Sequence, residues 1–353
     1  MTSPNQPTDA NLGQARADSA QQAKHNPQQP LLQPVQRVPS FPLSLLCLCT
    51  LSVPLCCLRI PRLLGDSGSL VQVVWVAAFG VNVIAVSIPG RFDSREKGQR
   101  QAVIPWRQFF EPSGWAFAIW AVIFLLELVL TICVAVAQSS RFGGGGGLSA
   151  VRDALPFWVA GNLFQSLWCG AFRPVFKRFL WLSAALLLLA AVSFLLVHSA
   201  LTEGYRELCS GEGGDVDAIR RRLFLFRVPI ALHSAWLCAA SCVNFNAWVS
   251  VGSRQSLVPL LASGFGSAYV AALAGAAMGG MMEDPLFTLT VAWALAAVGD
   301  KNQKGPRFAH SELHQAVALT ASTLAALLVV LAVGLVIQQQ IWPWACSATS
   351  GGS

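Results

Sequence analysis

Between Leu70 and Ile337 the chain runs as a succession of apolar blocks separated by short charged loops. Most blocks are about 17 to 25 residues long, the length a helix needs to cross a hydrocarbon layer of roughly 30 Å. A lipid core offers no water to backbone amides, so chains patterned this way are confined to spanning helices. The composition agrees: 54% of residues are hydrophobic and only 12% charged, against about 25% charged in ordinary soluble domains. A soluble helical bundle would need polar helix faces, and Leu180–Val197 has almost none. The expected fold is therefore an all-α polytopic transmembrane bundle, integral to the membrane and multi-pass.

The clear spans are expected at Leu70–Ile88, Trp115–Ala137, Leu155–Phe172, Phe179–Leu201, Val228–Val251, Leu257–Met282, Pro285–Val298 and Ala316–Ile337. The seventh is short for a bilayer, about 20 Å at 1.5 Å per residue. It reads as a tilted, re-entrant or longer helix. Residues 1–40 are rich in Gln, Pro, Asn and Ser and too poor in apolar residues to bury a core, so this arm is expected to be disordered. It is acid-poor like a transit peptide but carries few arginines. Phe41–Leu58 is apolar, with Pro42, Pro54 and four cysteines. It fits a further span, an interfacial segment or a targeting segment equally well. Gly143–Gly147 reads as a flexible linker, and residues 341–353 as a C-terminal tail.

The net charge of +7 sits in loops. No basic stripe with interleaved aromatics points to nucleic acid, and the bilayer is the expected partner. The loop after the first clear span carries Arg91, Arg95, Lys97, Arg100 and Arg107. The same side adds Arg173, Lys177, Arg178, Arg254, Lys301, Lys304 and Arg307. Against them stand Arg141, Arg152, Arg206, Arg220, Arg221, Arg222 and Arg227. This excess favours the first side as cytoplasmic. The compartment stays open. Most of the ten cysteines lie in apolar runs, where they act as small hydrophobes. Only Cys209 and Cys346 lie in loops, on one side, and a disulfide between them requires that side to be oxidising.

Four spans carry polar and aromatic residues at helical spacing. Phe117, Trp120, Phe124 and Glu127 share one face, as do Gln72, Trp75, Phe79 and Asn82. Asn162 and Gln165 form a third stripe with Trp168 at its edge. His233, Trp236, Ala240, Asn244 and Ala247 form a fourth. Ionisable residues are expensive in lipid and face the bundle interior or a wet cavity. One reading is packing glue, worth roughly 1 kcal/mol per residue. The other is a cavity for a large, flat, mostly apolar ligand with a few polar atoms. Trp106, Trp115, Trp342 and Trp344 fit interfacial anchors. His233 has the chemistry to ligate haem iron, and Glu127 that of a proton or cation carrier. Gly275-x-x-x-Gly279 offers a small-residue face, and the later helices read as scaffold or as the contact face of a homo-oligomer. No Ser-His-Asp arrangement, Walker loop, HExxH or dinucleotide fingerprint occurs, so binding is expected rather than catalysis.

Four segments resemble the TspO/MBR family, the tryptophan-rich sensory and translocator proteins. They are FEPSGWAFAIWAVIF, GNLFQSLWCGAF, PIALHSAWLCAASCVNFNAW with its Pro229, Trp236, Ala240 and Asn244, and VAWALAAVGDKN, which is similar to the longer tryptophan-rich branch. The resemblance implies a five-helix core over 70–251, helices over 252–340 added to it, and a cavity near the loop after the first helix. It implies binding of tetrapyrroles such as haem or protoporphyrin, or of sterol-like lipids, with sensing or transport attached. Carried onto this sequence, it names Pro112, Trp115, Phe117, Trp120, Asn162, Trp168, Trp236 and Asn244. The stripes add Trp75, Asn82, Glu127 and His233. His233 stands where the longer branch tends to have an aromatic. Two other functions remain open: a proton-coupled small-solute transporter using Glu127 and His233, and a membrane enzyme acting on the tetrapyrrole.

Overall fold

The computed structural model describes residues 68–93, 105–137, 149–209, 214–304 and 311–341. All of them belong to the larger of two units, Leu43–Ser353. The arm, Phe41–Leu58, the glycine linker, Cys346 and the C-terminal tail lie outside the described residues. Those residues form eight α-helices and no strand: α1 (Gly68–Ser87), α2 (Ile119–Ala135), α3 (Ser149–Ala171), α4 (Leu180–Cys209), α5 (Gly214–Gly252), α6 (Leu257–Met281), α7 (Pro285–Gln303) and α8 (Ser311–Ile341). Short 3₁₀ turns at Gly114–Ala118 and Pro174–Phe179 lead into α2 and α4. Six of the described helices are long and apolar enough to cross a membrane. Of the other two, α3 is packed inside the bundle, where polar residues are tolerated because protein surrounds them, while α7 buries one face and leaves Leu289 and Trp293 exposed on the other.

A helix covers each expected span, but α3 and α7 do not meet the length and apolarity of a crossing helix, and several helices run past the expected bounds: α3 begins at Ser149 rather than Leu155, α4 ends at Cys209 rather than Leu201, and α5 begins at Gly214 rather than Val228. The seventh helix reaches Gln303 and has 19 residues, about 28 Å at 1.5 Å per residue. Hydropathy falls at Asp300, Lys301 and Asn302, but the helix continues because a loop from elsewhere in the chain satisfies those side chains. Asp284 starts this helix: its Oδ1 accepts from the amides of Leu286 at 3.0 Å and Phe287 at 3.2 Å, with Pro285 behind it where a missing N–H costs nothing.

Helix α5 is the axis of the bundle. Of its span, 72% is buried, against 28% for α1 and α8. It packs against α2, α4, α6, α7 and, through them, holds two lobes together. One lobe buries Trp75, Trp158, Leu186 and Phe194 from α1, α3 and α4. The other buries Ala271, Phe287, Val291 and Val317 from α6, α7 and α8. A third patch joins Ile123, Trp236, Ala294 and Ala297. The central place of α5 explains its polar content: Ser234 and Ser241 return their hydroxyls to carbonyls one turn back, and inward residues meet protein on every side. The small-residue face of α6 works within the chain. A Cβ on Gly275 would lie 3.0 Å from Val291 and from Leu328, and one on Gly279 would run into Thr288 Oγ1. These glycines let α7 and α8 approach closely.

Candidate functional site

The polar face of α1 is consumed by its neighbours. Gln72 Nε2 donates to the Val134 carbonyl at 3.0 Å and the Ala137 carbonyl at 2.6 Å, capping the end of α2. Trp75 is fully buried and stacks on Trp158 with ring centroids 4.4 Å apart. Trp158 in turn donates its indole N–H to the Trp75 carbonyl at 3.0 Å. Asn82 Nδ2 donates to Asn162 Oδ1 at 3.0 Å and to Gln165 Oε1 at 2.9 Å. Trp158 was not among the sequence candidates, yet it stands four residues before Asn162, on the same helical face.

Glu127 and His233 meet. Glu127 Oε1 lies 2.6 Å from His233 Nδ1, and both side chains are wholly buried. Rings close the space around them: Phe194 lies 4.0 Å from the imidazole by centroid, Trp120 5.6 Å and Phe124 6.2 Å. Glu127 Oε2, His233 Nε2 and the nearby Trp236 indole N–H have no partner. Trp236 packs edge-on to Phe117 and Trp120. This is a desolvated ionisable pair behind an aromatic wall.

The same wall has an open side. A chamber of about 180 Å³ lies where the end of α1 faces α2 and α3, lined by Trp120, Phe124, Gln165, Trp168, Arg91 and Asp93, with Val86 and Ala121. Beside it, a cleft of about 370 Å³ between α1 and α2 is lined by Phe79, Val83, Leu125 and Leu128 and shares Val86 and Phe124 with the chamber. Val83, Leu125 and Leu128 are exposed on the outside of the bundle, where lipid would lie. Arg91 is fixed at the chamber's end: its Nε donates to Asp93 Oδ1 at 2.8 Å, its Nη1 donates to the Val86 carbonyl at 2.7 Å, and its guanidinium stands 5.6 Å from the Trp168 ring. Trp168 donates to Asn244 Oδ1 at 3.0 Å, which also accepts from Ser183 Oγ at 2.7 Å.

The family described as TSPO-like protein matches residues 69–334 of this chain. The chain belongs to that family. The match runs from α1 into α8 and so takes in all eight described helices. No curated protein and no solved structure matches the chain.

In this TSPO-like chain, two of the signature segments dock on each other. Ser113 N donates to the Ala297 carbonyl at 3.0 Å. Asp300 Oδ2 accepts from Ser113 Oγ at 2.7 Å and from the Trp115 indole at 2.9 Å. Lys301 pairs with Glu111 at 3.2 Å, and Asn302 donates to the Phe109 carbonyl at 2.8 Å. Pro112 is buried in this clamp, and Trp115 meets Trp293 edge-on at 4.6 Å. Hydrogen bonds from Lys304, Ser113 and Trp115 hold the Asp300 carboxyl down at about 2. The clamp sets where α2 begins, and hence where Trp120 and Phe124 stand.

The sequence candidates thus separate into three places. Trp120 and Trp168 line the chamber. Asn82, Asn162 and Asn244 support its walls, with Trp75 in the core behind them. Glu127 and His233 form the buried pair, with Phe117 and Trp236 beside them, while Pro112 and Trp115 belong to the clamp. Arg91, Asp93 and Gln165 were not among the candidates. Gln165 had been placed on the third stripe, but Arg91 and Asp93 read as ordinary loop charges, and only folding brings them under Trp168.

Proposed function

We propose that this TSPO-like membrane protein binds a planar, mostly hydrophobic ligand of tetrapyrrole or sterol type, which reaches it from the bilayer. The observation that carries this reading is the chamber: two indoles and a phenyl ring, a small number of fixed polar groups, and an apolar cleft leading to the lipid-facing surface. Apolar walls with few oriented polar atoms suit such ligands. The volume of the chamber accepts one edge of a large ring system, and the cleft accepts the remainder.

The test is a titration of the purified, detergent-solubilised chain with protoporphyrin, followed by the absorbance of the ligand. Bulk tryptophan emission is a poor readout with 12 tryptophans in the chain. Trp120→Ala is expected to weaken binding by about three- to tenfold, the worth of one aromatic contact. An unchanged affinity in that variant and in Trp168→Ala removes the chamber from consideration.

A second reading rests on the 2.6 Å contact between Glu127 and His233. Two ionisable groups in hydrogen-bond contact inside a bundle are the chemistry of proton-coupled transport. That reading predicts uptake into proteoliposomes driven by an imposed pH gradient and abolished by Glu127→Gln. Uptake that ignores every gradient removes it.

A further inference from the structure

The hydrogen bonds behind the chamber decide which atom of Gln165 is left without a partner. Asn162 Nδ2 donates at 2.8 Å to the main-chain carbonyl of Trp158. A carbonyl oxygen only accepts, so this contact fixes the Asn162 amide with its nitrogen toward Trp158 and its oxygen toward Asn82. Asn82 must therefore present its nitrogen to that oxygen at 3.0 Å. The same Asn82 nitrogen lies 2.9 Å from Gln165, so Gln165 presents its oxygen there. Its Nε2, a donor, is left over. Gln165 is wholly buried, lines the chamber, and its Nε2 has no partner. A buried donor without an acceptor is costly, and structures rarely leave one.

The other polar groups of the chamber do not satisfy it. Asp93 is engaged by Arg91, at 2.8 Å through Nε and 3.4 Å through Nη2. The chamber thus has in its lining a buried residue, Gln165, whose Nε2 donor has no partner among the described residues, and apolar surface toward the lipid.

We infer that the ligand enters this chamber acceptor-first, placing a carbonyl or carboxylate oxygen on Gln165 Nε2 while its apolar body lies in the cleft between α1 and α2. This rests on the proposed binding function and names the chemistry that the site selects. Gln165 is a specificity-determining residue in this scheme, and Asn82 and Asn162 are positioning residues that aim it.

Three porphyrins separate the possibilities: protoporphyrin with its carboxylates, its dimethyl ester with neutral carbonyls, and octaethylporphyrin, which has only alkyl groups at its rim. Each is titrated against the full chain in detergent. The acceptor-bearing probes are expected to bind about five- to tenfold more tightly than octaethylporphyrin, the effect of one buried hydrogen bond. Gln165→Met, close in shape but without the donor, is expected to erase that preference, so that all three probes bind alike. A preference for the acid over the ester assigns a carboxylate to the site. Equal binding of the two assigns a neutral carbonyl, and either result supports the inference. Equal affinity for all three in the parent protein, with Trp120→Ala weakening each, overturns the inference and leaves the binding function intact; the Gln165 donor then serves a water only. No saturable binding of any probe overturns both. The comparison of probes in the parent protein needs no variant to fold.

Discussion

Removing one member of the Glu127–His233 pair should cost far more than removing both. The contact is 2.6 Å long, neither side chain touches solvent, and the second polar atom of each has no partner. Once His233 is replaced by Phe, Glu127 keeps a carboxyl with no hydrogen-bonding partner in a wall of Trp120, Phe124 and Phe194. Breaking a buried ionisable pair this way typically destabilises a protein by about 3–5 kcal/mol. Glu127→Leu with His233 intact leaves the imidazole without its partner, a smaller loss of about 1–3 kcal/mol. The double variant Glu127→Leu/His233→Phe replaces both by apolar groups of comparable bulk, which is often near neutral. The coupling energy in the double-mutant cycle should therefore reach about 2 kcal/mol or more, with the double variant more stable than His233→Phe alone. The assay is equilibrium unfolding in mixed detergent micelles, read by circular dichroism for the parent, the two single variants and the double variant. Additive costs, each below about 1 kcal/mol, would refute the reasoning, because they would mean that the two groups are solvated or apart. The outcome also bears on transport, since a carrier that cycles protons through this pair needs the two residues coupled.

Two further outcomes follow from the packing. Gly279→Ala should destabilise the bundle by about 1–3 kcal/mol, because the new methyl displaces the Thr288 hydroxyl from the Gly275 carbonyl. Gly280→Ala, where nothing lies within 4 Å, should be neutral or slightly stabilising in the same equilibrium-unfolding measurement. The clamp should weaken only in strong acid. Asp300 titrates at about 2 when folded, below its usual 3.8, so its contribution is complete above about pH 4 and lost as pH falls through 2. Asp300→Asn should cost about 1 kcal/mol at neutral pH and flatten the acid limb of a stability-versus-pH curve. An acid limb identical to that of the parent would show that the carboxylate contributes nothing.

The helical spans were legible because the physics that writes them is local. Lipid demands about 20 consecutive apolar residues wherever a helix crosses, and Leu180–Val197 or Ala316–Ile337 meets that demand without reference to any neighbour. The boundary of α7 was not legible. Asp300 and Asn302 look like the end of a span until Ser113, Trp115 and Phe109 arrive from nearly two hundred residues away to satisfy them. The glycines of α6 announced a close contact, but only the fold shows that α7 and α8 provide it.

For the candidate site the division is similar. Sequence periodicity alone determined that Trp75, Trp120, Glu127, Asn162 and His233 face inward, because a 3.6-residue repeat assigns faces within one helix. It could not assign partners between helices. Tertiary packing decided that Glu127 meets His233 rather than a solvated pathway, and that Trp75 is spent on Trp158. It also decided that Arg91 and Asp93, two loop charges with no periodic signature, close a chamber under Trp168. Faces belong to a single helix and can be read along the chain. Chambers and ion pairs belong to the spaces between helices, and those spaces exist only once the helices have packed.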